Sequence, residues 1–213
     1  MATYQHGITG AFKGKIGTVI GSSWLGIPYM KSRYRLKKNP DSSPEQQNQQ
    51  NNFRIMGKFI RSMRSVIQLG FDNHLKGKLF FSRAMSYALL NAIDNTTTPN
   101  TINYSKLLVT KGRYPNAAGL TASAGKSGNI IFKWTDNSGI GAAKATDRVV
   151  LVAYSPLQKQ VLYTKNDGVR SDGTAELNVS NFKGLTLETY VTFLKADETD
   201  VSSSIYTGQV TIV

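Results

Sequence analysis

From Ser105 onward the chain is a succession of short β-prone runs, and this limits the possible folds more than any other feature. The runs are SKLLVTKG, LTASAG, NIIFKWTD, DRVVLVAYS, QVLYTK, GTAELNVS, ETYVTFLKAD and SIYTGQVTIV. They are rich in Val, Ile, Thr and Tyr, and Gly, Asn, Asp, Ser or Pro separates them. β-branched and aromatic side chains suit a pleated, half-buried surface, while the intervening residues are those that reverse a chain. About eight strands at this spacing predict an all-β sandwich. In NIIFKWTD, alternation places Ile130, Phe132 and Trp134 on one face, a core-facing set.

The residues before this have a different pattern. GAFKGKIGTVIGSSWLGIPYMKSRYRLKK (10–38) packs five glycines, a tryptophan and seven lysines or arginines into one stretch. TVIGSSW and IPYMKSRYRL read as two strands about a glycine-rich turn, with Gly21 and Gly26 where the backbone turns or bulges. Along the second strand Lys31, Arg33 and Arg35 share one face, and Met30, Ser32, Tyr34 and Leu36 share the other. That predicts a half-buried strand with a cationic outer face, Tyr34 packed inward and Trp24 anchoring the hairpin to helices.

Two helices are expected next. In NPDSSPEQQ, Ser43 serves as N-cap, Pro44 takes the first helical position and Gln46 completes a capping box. Phe53, Met56, Ile60, Met63 and Ile67 follow helical spacing, Phe59 and Val66 widen the stripe, and Gly70 offers a stop. Arg54, Lys58, Arg61 and Arg64 lie off the stripe, and the polar start EQQNQQNN predicts a solvent-facing extension. A second helix is expected from about Asn73 to Ile93, then a polar linker, NTTTPNTIN (95–103). The prediction is therefore an α+β chain. A glycine-rich β-hairpin with two helices fills residues 1–98, and an antiparallel β-sandwich fills residues 99–213.

Charge is unevenly placed over the 213 residues, whose formal net charge is +13. Residues 1–83 hold 14 Lys and Arg against Asp41, Glu45 and Asp72, whereas residues 84–213 hold 12 against 10 acids. A field of this kind attracts polyanions or acidic surfaces. The absence of cysteine removes disulfides and thiolate chemistry. No apolar run is long enough for a membrane span, and MATYQHGITG lacks the basic and apolar regions of a signal peptide. Cytoplasmic residence, or a place in a virion or assembled particle, is the expectation.

Chemical motifs fail on spacing or context. GLTASAGKS (119–127) puts five residues between its first glycine and the Gly-Lys-Ser, and a strand rather than a helix follows. FKGKIG lacks the upstream glycine and the hydroxyl residue. His6 and His74 have no neighbouring ligands, KADETD reads as a solvated turn, and no serine sits in G-x-S-x-G. No catalytic residue, metal ligand or cofactor is expected, and a non-enzyme is.

Two functions suit what remains. One is assembly or docking through the hairpin carrying Gly14, Gly17, Gly21, Trp24, Gly26 and Tyr29, giving a homo-oligomer or a phage-like or other particle component. The other is binding of nucleic acid or another polyanion by Lys13, Lys15, Lys31, Arg33, Arg35, Lys37, Lys38, Arg54, Lys58, Arg61 and Arg64, with interleaved tyrosines stacking on bases. A third, carbohydrate or peptide binding by the sandwich, calls for exposed aromatics on its loops.

Two resemblances accompany these readings. The segment with Leu185 ahead of Tyr190, together with the strand tryptophan Trp134, resembles the fibronectin type III pattern, in which a corner tyrosine and a tryptophan fill the core. It covers about half the chain and implies a binding or spacer module. GAFKGKIGTVIGSSWLGIPYMKS, the Gln-rich helix with Phe53, LGF (69–71), NYSKLLVTKG (103–112) and IIFKWTDNS (130–138) are similar to an uncharacterised Bacteroidota family, domain of unknown function 6266. In that family lysine often follows the tryptophan, where this chain has Leu25, and proline often follows the Lys/Arg-Ser pair, where it has Arg33. The resemblance implies no activity.

Overall fold

The computed structural model describes residues 3–4, 10–34, 42–71, 79–97 and 99–212. The chain forms two units, residues 1–43 and 44–213. In the first, β1 (Thr3–Tyr4), β2 (Phe12–Ile16), β3 (Val19–Trp24) and β4 (Ile27–Ser32) make an antiparallel sheet in that order. Both hairpins close with two residues: Ile16 pairs with Val19 across Gly17 and Thr18, and Trp24 with Ile27 across Leu25 and Gly26. Leu25 has φ 49° and Gly26 φ 85°. Two positive φ values in a two-residue loop are the type I′ arrangement, whose twist matches that of the strands it joins.

Several expectations for this unit are corrected. FKGKI is itself a strand, so Lys13 and Lys15 lie within the sheet rather than ahead of it. All six residues of β4 are exposed instead of half-buried. Trp24 is 61% exposed and Tyr34 79% exposed, so neither is a core residue. Trp24 stands beside the terminal turn, and among the described residues no second layer covers this end of the sheet. Arg35, Lys37 and Lys38 lie outside the described residues.

In the second unit the first predicted helix is two helices, α1 (Pro44–Ser62) and α2 (Arg64–Phe71). The interruption is slight, since Met63 N–H still reaches the Phe59 carbonyl at 3.1 Å. Ser62 Oγ donates to that same carbonyl at 2.7 Å, a back-bond that bends helices. Helix α3 (Leu79–Asn91) follows, the earlier part of the second predicted helix and His74 lying outside the described residues. Gly70 is not a helix stop. It sits inside α2, where a side chain would strike Thr110, so close approach rather than a positive φ requires glycine there. The polar start of α1 is not wholly solvated: Asn52 is buried, and Asn100 Nδ2 lies within 2.9 Å of the Asn48, Asn52 and Asn95 side-chain oxygens.

After a short pairing of β5 (Ile93–Asp94) with β6 (Thr101–Ile102), the sandwich begins. Its strands are β7 (Ala118–Ala124), β8 (Asn129–Thr135), β9 (Arg148–Ser155), β10 (Gln160–Thr164), β11 (Thr174–Asn178), β12 (Thr186–Leu194) and β13 (Ile205–Thr211). One sheet has the order β10-β9-β12-β13 and the other β11-β8-β7. Seven of the eight expected runs are strands. SKLLVTKG is not: a 3₁₀ turn at Tyr104–Lys106 leads into irregular chain held by side chains, with Ser204 Oγ accepting from Val109 N–H (2.9 Å) and Thr110 Oγ1 donating to the Ser202 carbonyl (2.9 Å).

Two hydrophobic cores hold the unit together. Between the sheets lie Ile130, Phe132 and Trp134, as the alternation predicted, with Val149, Leu151, Ala153, Val191 and Phe193. The helices cover the other face of the four-stranded sheet, where Met56, Phe59, Ile60, Val66 and Ala88 meet Val150, Val152, Tyr154, Tyr190 and Leu194. Phe59 packs edge-on to Tyr154 with ring centroids 4.9 Å apart. The boundary expected at residues 98/99 therefore falls inside the larger unit, because the helices bury their apolar stripe on the sandwich. Tyr190 belongs to this outer core and not to the sandwich interior. Its hydroxyl donates to the Tyr104 carbonyl at 2.9 Å, so it does not play the corner role expected of it.

Arg170 is fully buried in a turn that the sequence presents as ordinary. Its Nε donates to buried Asp147 (3.0 Å), Nη1 to Asn137 (2.7 Å) and Nη2 to the Pro115 carbonyl (2.9 Å). The guanidinium lies over the Phe193 ring at 4.2 Å, and Trp134 Nε1 donates to the Arg170 carbonyl at 2.7 Å. Buried arginine persists only when paired in this way.

Candidate interaction surface

Strand register divides the N-terminal sheet into two faces of different chemistry. Directly paired residues share a face, and residues two apart along a strand share it too. The pairs Lys15–Ile20–Lys31, Ser22–Tyr29 and Trp24–Ile27 thus define one face, to which Lys13 also belongs. The pairs Ile16–Val19–Ser32, Gly14–Gly21–Met30 and Ser23–Pro28 define the other, with Phe12. One face is cationic and aromatic, and its opposite is apolar and glycine-lined.

The glycines build the apolar face. A side chain at Gly21 would meet the Phe12 ring at 2.7 Å, so the ring lies directly on bare backbone. Met30, across from Gly21, is 70% exposed, and Val19 and Ile16 are 36% and 39% exposed. On the cationic face Ile27 is 68% and Tyr29 42% exposed. Strand β4 ends the sheet order, so one side of its backbone has no strand beside it among the described residues.

The expected cations separate into groups. Lys13, Lys15 and Lys31 come together on one face; Arg33 follows β4, its N–H donating to the Thr18 carbonyl at 2.7 Å. Arg54, Lys58, Arg61 and Arg64 are exposed on α1 and the start of α2, in the other unit, with Arg54 donating to Asn51 at 2.9 Å. Among the described residues none of these eight forms an ion pair; the pairs present are Arg148–Glu198, Lys165–Glu198, Arg170–Asp147 and Lys195–Asp197. Gly17 and Gly26 shape the turns at positive φ.

A further basic feature escapes sequence reading. A cleft of about 760 Å³ in the larger unit brings Arg83 of α3 beside Lys111 and Arg113, with no carboxylate in its lining. The Lys111 ammonium lies 4.9 Å from the centre of the Tyr87 ring. The cations of KGR (111–113) are plain in the sequence, but only packing brings Arg83 to them. On the sandwich, Ile140 and Leu157 are exposed in loops; among the described residues no loop aromatic there is comparably exposed, Tyr163 being on β10. No helix among the described residues is long and apolar enough to cross a membrane, and no cluster of three or more metal-ligating side chains occurs among them.

Among the solved structures similar to part of the chain are two with fibronectin domains. One is the solution structure of the fn3 domain of the human collagen alpha-1(XX) chain, with 14% identity and a TM-score of 0.34, covering 49% of this chain and 90% of that one. The other comprises the FN1–FN3 domains of chicken CNTN1, with 11% identity and a TM-score of 0.37, covering 49% of this chain and 36% of that one. No curated protein matches the sequence. The model of a family of unknown function, DUF6266, matches residues 11–208, a span that takes in both the N-terminal sheet and the sandwich, and the chain belongs to that family.

Proposed function

We propose that the protein is a non-enzymatic structural component that assembles through its N-terminal sheet, as part of a homo-oligomer or a phage-like particle. The observation that carries this reading is the apolar face of that sheet. Ile16, Val19 and Met30 are 39%, 36% and 70% exposed on that face, and the sheet order ends at β4. Exposed sheet edges can pair with another strand, and in β4 only Pro28 lacks a backbone N–H to donate. The occupant is a second copy of the chain. Edge-to-edge pairing of two β4 strands would join the apolar faces of two sheets and satisfy backbone groups on both.

Within the larger unit the sheet of β9 and β12 is buried on both faces, which suits a structural module. Light scattering on the eluting chain, over a range of concentrations, tests the reading. A defined oligomer above the 23.4 kDa protomer is expected, and Met30→Lys should drive it toward the monomer. A strict monomer at high concentration would overturn it.

A further inference from the structure

The face opposite the apolar one carries a separate inference. Lys15, Ile20 and Lys31 form a row across three strands. At ordinary strand spacing the two lysines stand about 10 Å apart, with Lys13 one pleat along β2. The Ser22–Tyr29 and Trp24–Ile27 rows continue the same face toward the tip. Its rings are open, Trp24 at 61% and Tyr29 at 42% exposure. The first 40 residues contain seven Lys and Arg and no Asp or Glu, so this stretch supplies no carboxylate of its own to neutralise the face.

We propose that this face binds single-stranded nucleic acid, Lys13, Lys15 and Lys31 meeting phosphates while Trp24 and Tyr29 stack on bases. Charge complementarity selects a polyanion. The rings then choose among polyanions. Indole and phenol rings beside lysines offer flat apolar area, and every unpaired base presents a π-face to them. A duplex keeps those faces stacked inside, so single strands suit the surface and duplexes do not. An antiparallel sheet holds the side chains in fixed rows, and sequence-tolerant binding follows. Assembly uses the apolar face and the β4 backbone edge, not the side chains of Lys13, Lys15, Lys31, Trp24 and Tyr29, so either proposal can fail without the other.

The test uses the full chain and oligo(dT), read by tryptophan fluorescence. Trp134 is 6% exposed with its Nε1 hydrogen-bonded, so quenching on addition of oligo(dT) reports Trp24. Saturable quenching that weakens with salt is expected, and a blunt duplex should compete poorly. Trp24→Ala and Tyr29→Ala, followed by anisotropy of a labelled oligo(dT), should each weaken binding by about 5- to 150-fold. Trp24→Phe keeps a ring and should restore most of the loss. Lys15→Ala with Lys31→Ala should lower the slope of log affinity against log salt by about 1.4. Met30→Ser, on the opposite face, should leave binding unchanged. No binding of oligo(dT) at low salt overturns the proposal. So does binding that is indifferent to Trp24 and Tyr29, or that heparin or anionic phosphatidylserine vesicles match without needing the rings, since charge alone would then explain it.

Discussion

Replacing Arg170 with methionine tests whether the sandwich is organised around its buried ion pair. Methionine keeps much of the side-chain volume over Phe193 but removes five donors. Three of the bonds those donors form would go: to Asp147 at 3.0 Å, Asn137 at 2.7 Å and the Pro115 carbonyl at 2.9 Å. The larger consequence concerns Asp147, which is fully buried and would lose the guanidinium it pairs with. Breaking one side of such a pair costs about 3–5 kcal/mol. For a unit of this size that corresponds to a fall in Tm of about 6–20 °C.

A second substitution isolates the charge. Asp147 Oδ2 also accepts from Lys144 N–H at 2.8 Å and from the Tyr114 hydroxyl at 3.0 Å, contacts that an amide oxygen in the same place can keep. Arg170→Met with Asp147→Asn should therefore recover about 1–3 kcal/mol relative to the single variant. Urea unfolding of the full chain, followed by circular dichroism and by the Trp134 signal beside Phe193, measures both. A loss below about 1 kcal/mol for Arg170→Met, or no recovery in the double variant, would refute an isolated buried charge as the cause.

Three other outcomes follow from the same coordinates. Gly70→Ala should destabilise by about 1–3 kcal/mol although alanine is the better helix former, because the new Cβ meets Thr110, which is fixed by bonds to Thr192 and Ser202; a raised urea midpoint would contradict this. Leu25→Asn should stabilise the β3–β4 hairpin by up to about 1 kcal/mol by relieving a leucine at φ 49°, seen as slower hydrogen exchange of the Val19–Ser32 amides; faster exchange would count against it. Stability should also fall at alkaline pH. Burial, then the Asp147 carboxylate, pushes the Tyr114 phenol up to about 12, and burial raises Tyr104, Tyr154, Tyr190 and Tyr206 as well. Unfolded tyrosines ionise near 10, so above that pH the unfolded chain binds fewer protons than the native one. The contribution is whole below about pH 10 and is lost as pH rises through about 12. A urea midpoint constant from about pH 9 to 12 would refute it.

Local pattern determined a good deal here. Period-two alternation in NIIFKWTD fixed which side chains enter the sandwich, because a strand can turn only one set inward. Helical spacing of Met56, Ile60, Met63 and Ile67 fixed the buried stripe of α1 and α2, but Phe53, expected on the same stripe, is 50% exposed. The run VVLVAY in β9 carried a further message. Its lack of alternation marks a strand covered on both faces, even residues by helices and odd ones by the second sheet.

What covers an apolar face is a different question from which face is apolar, and it was settled by contacts distant in sequence. Met56 and Val150 meet only because the helices fold onto the sheet, which erased the boundary expected at residue 98. Trp24 is a residue type common in cores, yet on the N-terminal sheet it stands 61% exposed. Arg170 reads as a turn residue and became a core residue because Asp147, Asn137 and Pro115 arrive from other loops. Periodicity and turns are legible in the chain because they depend on neighbours a few residues apart. Burial is not, because it depends on which distant element arrives to displace the water.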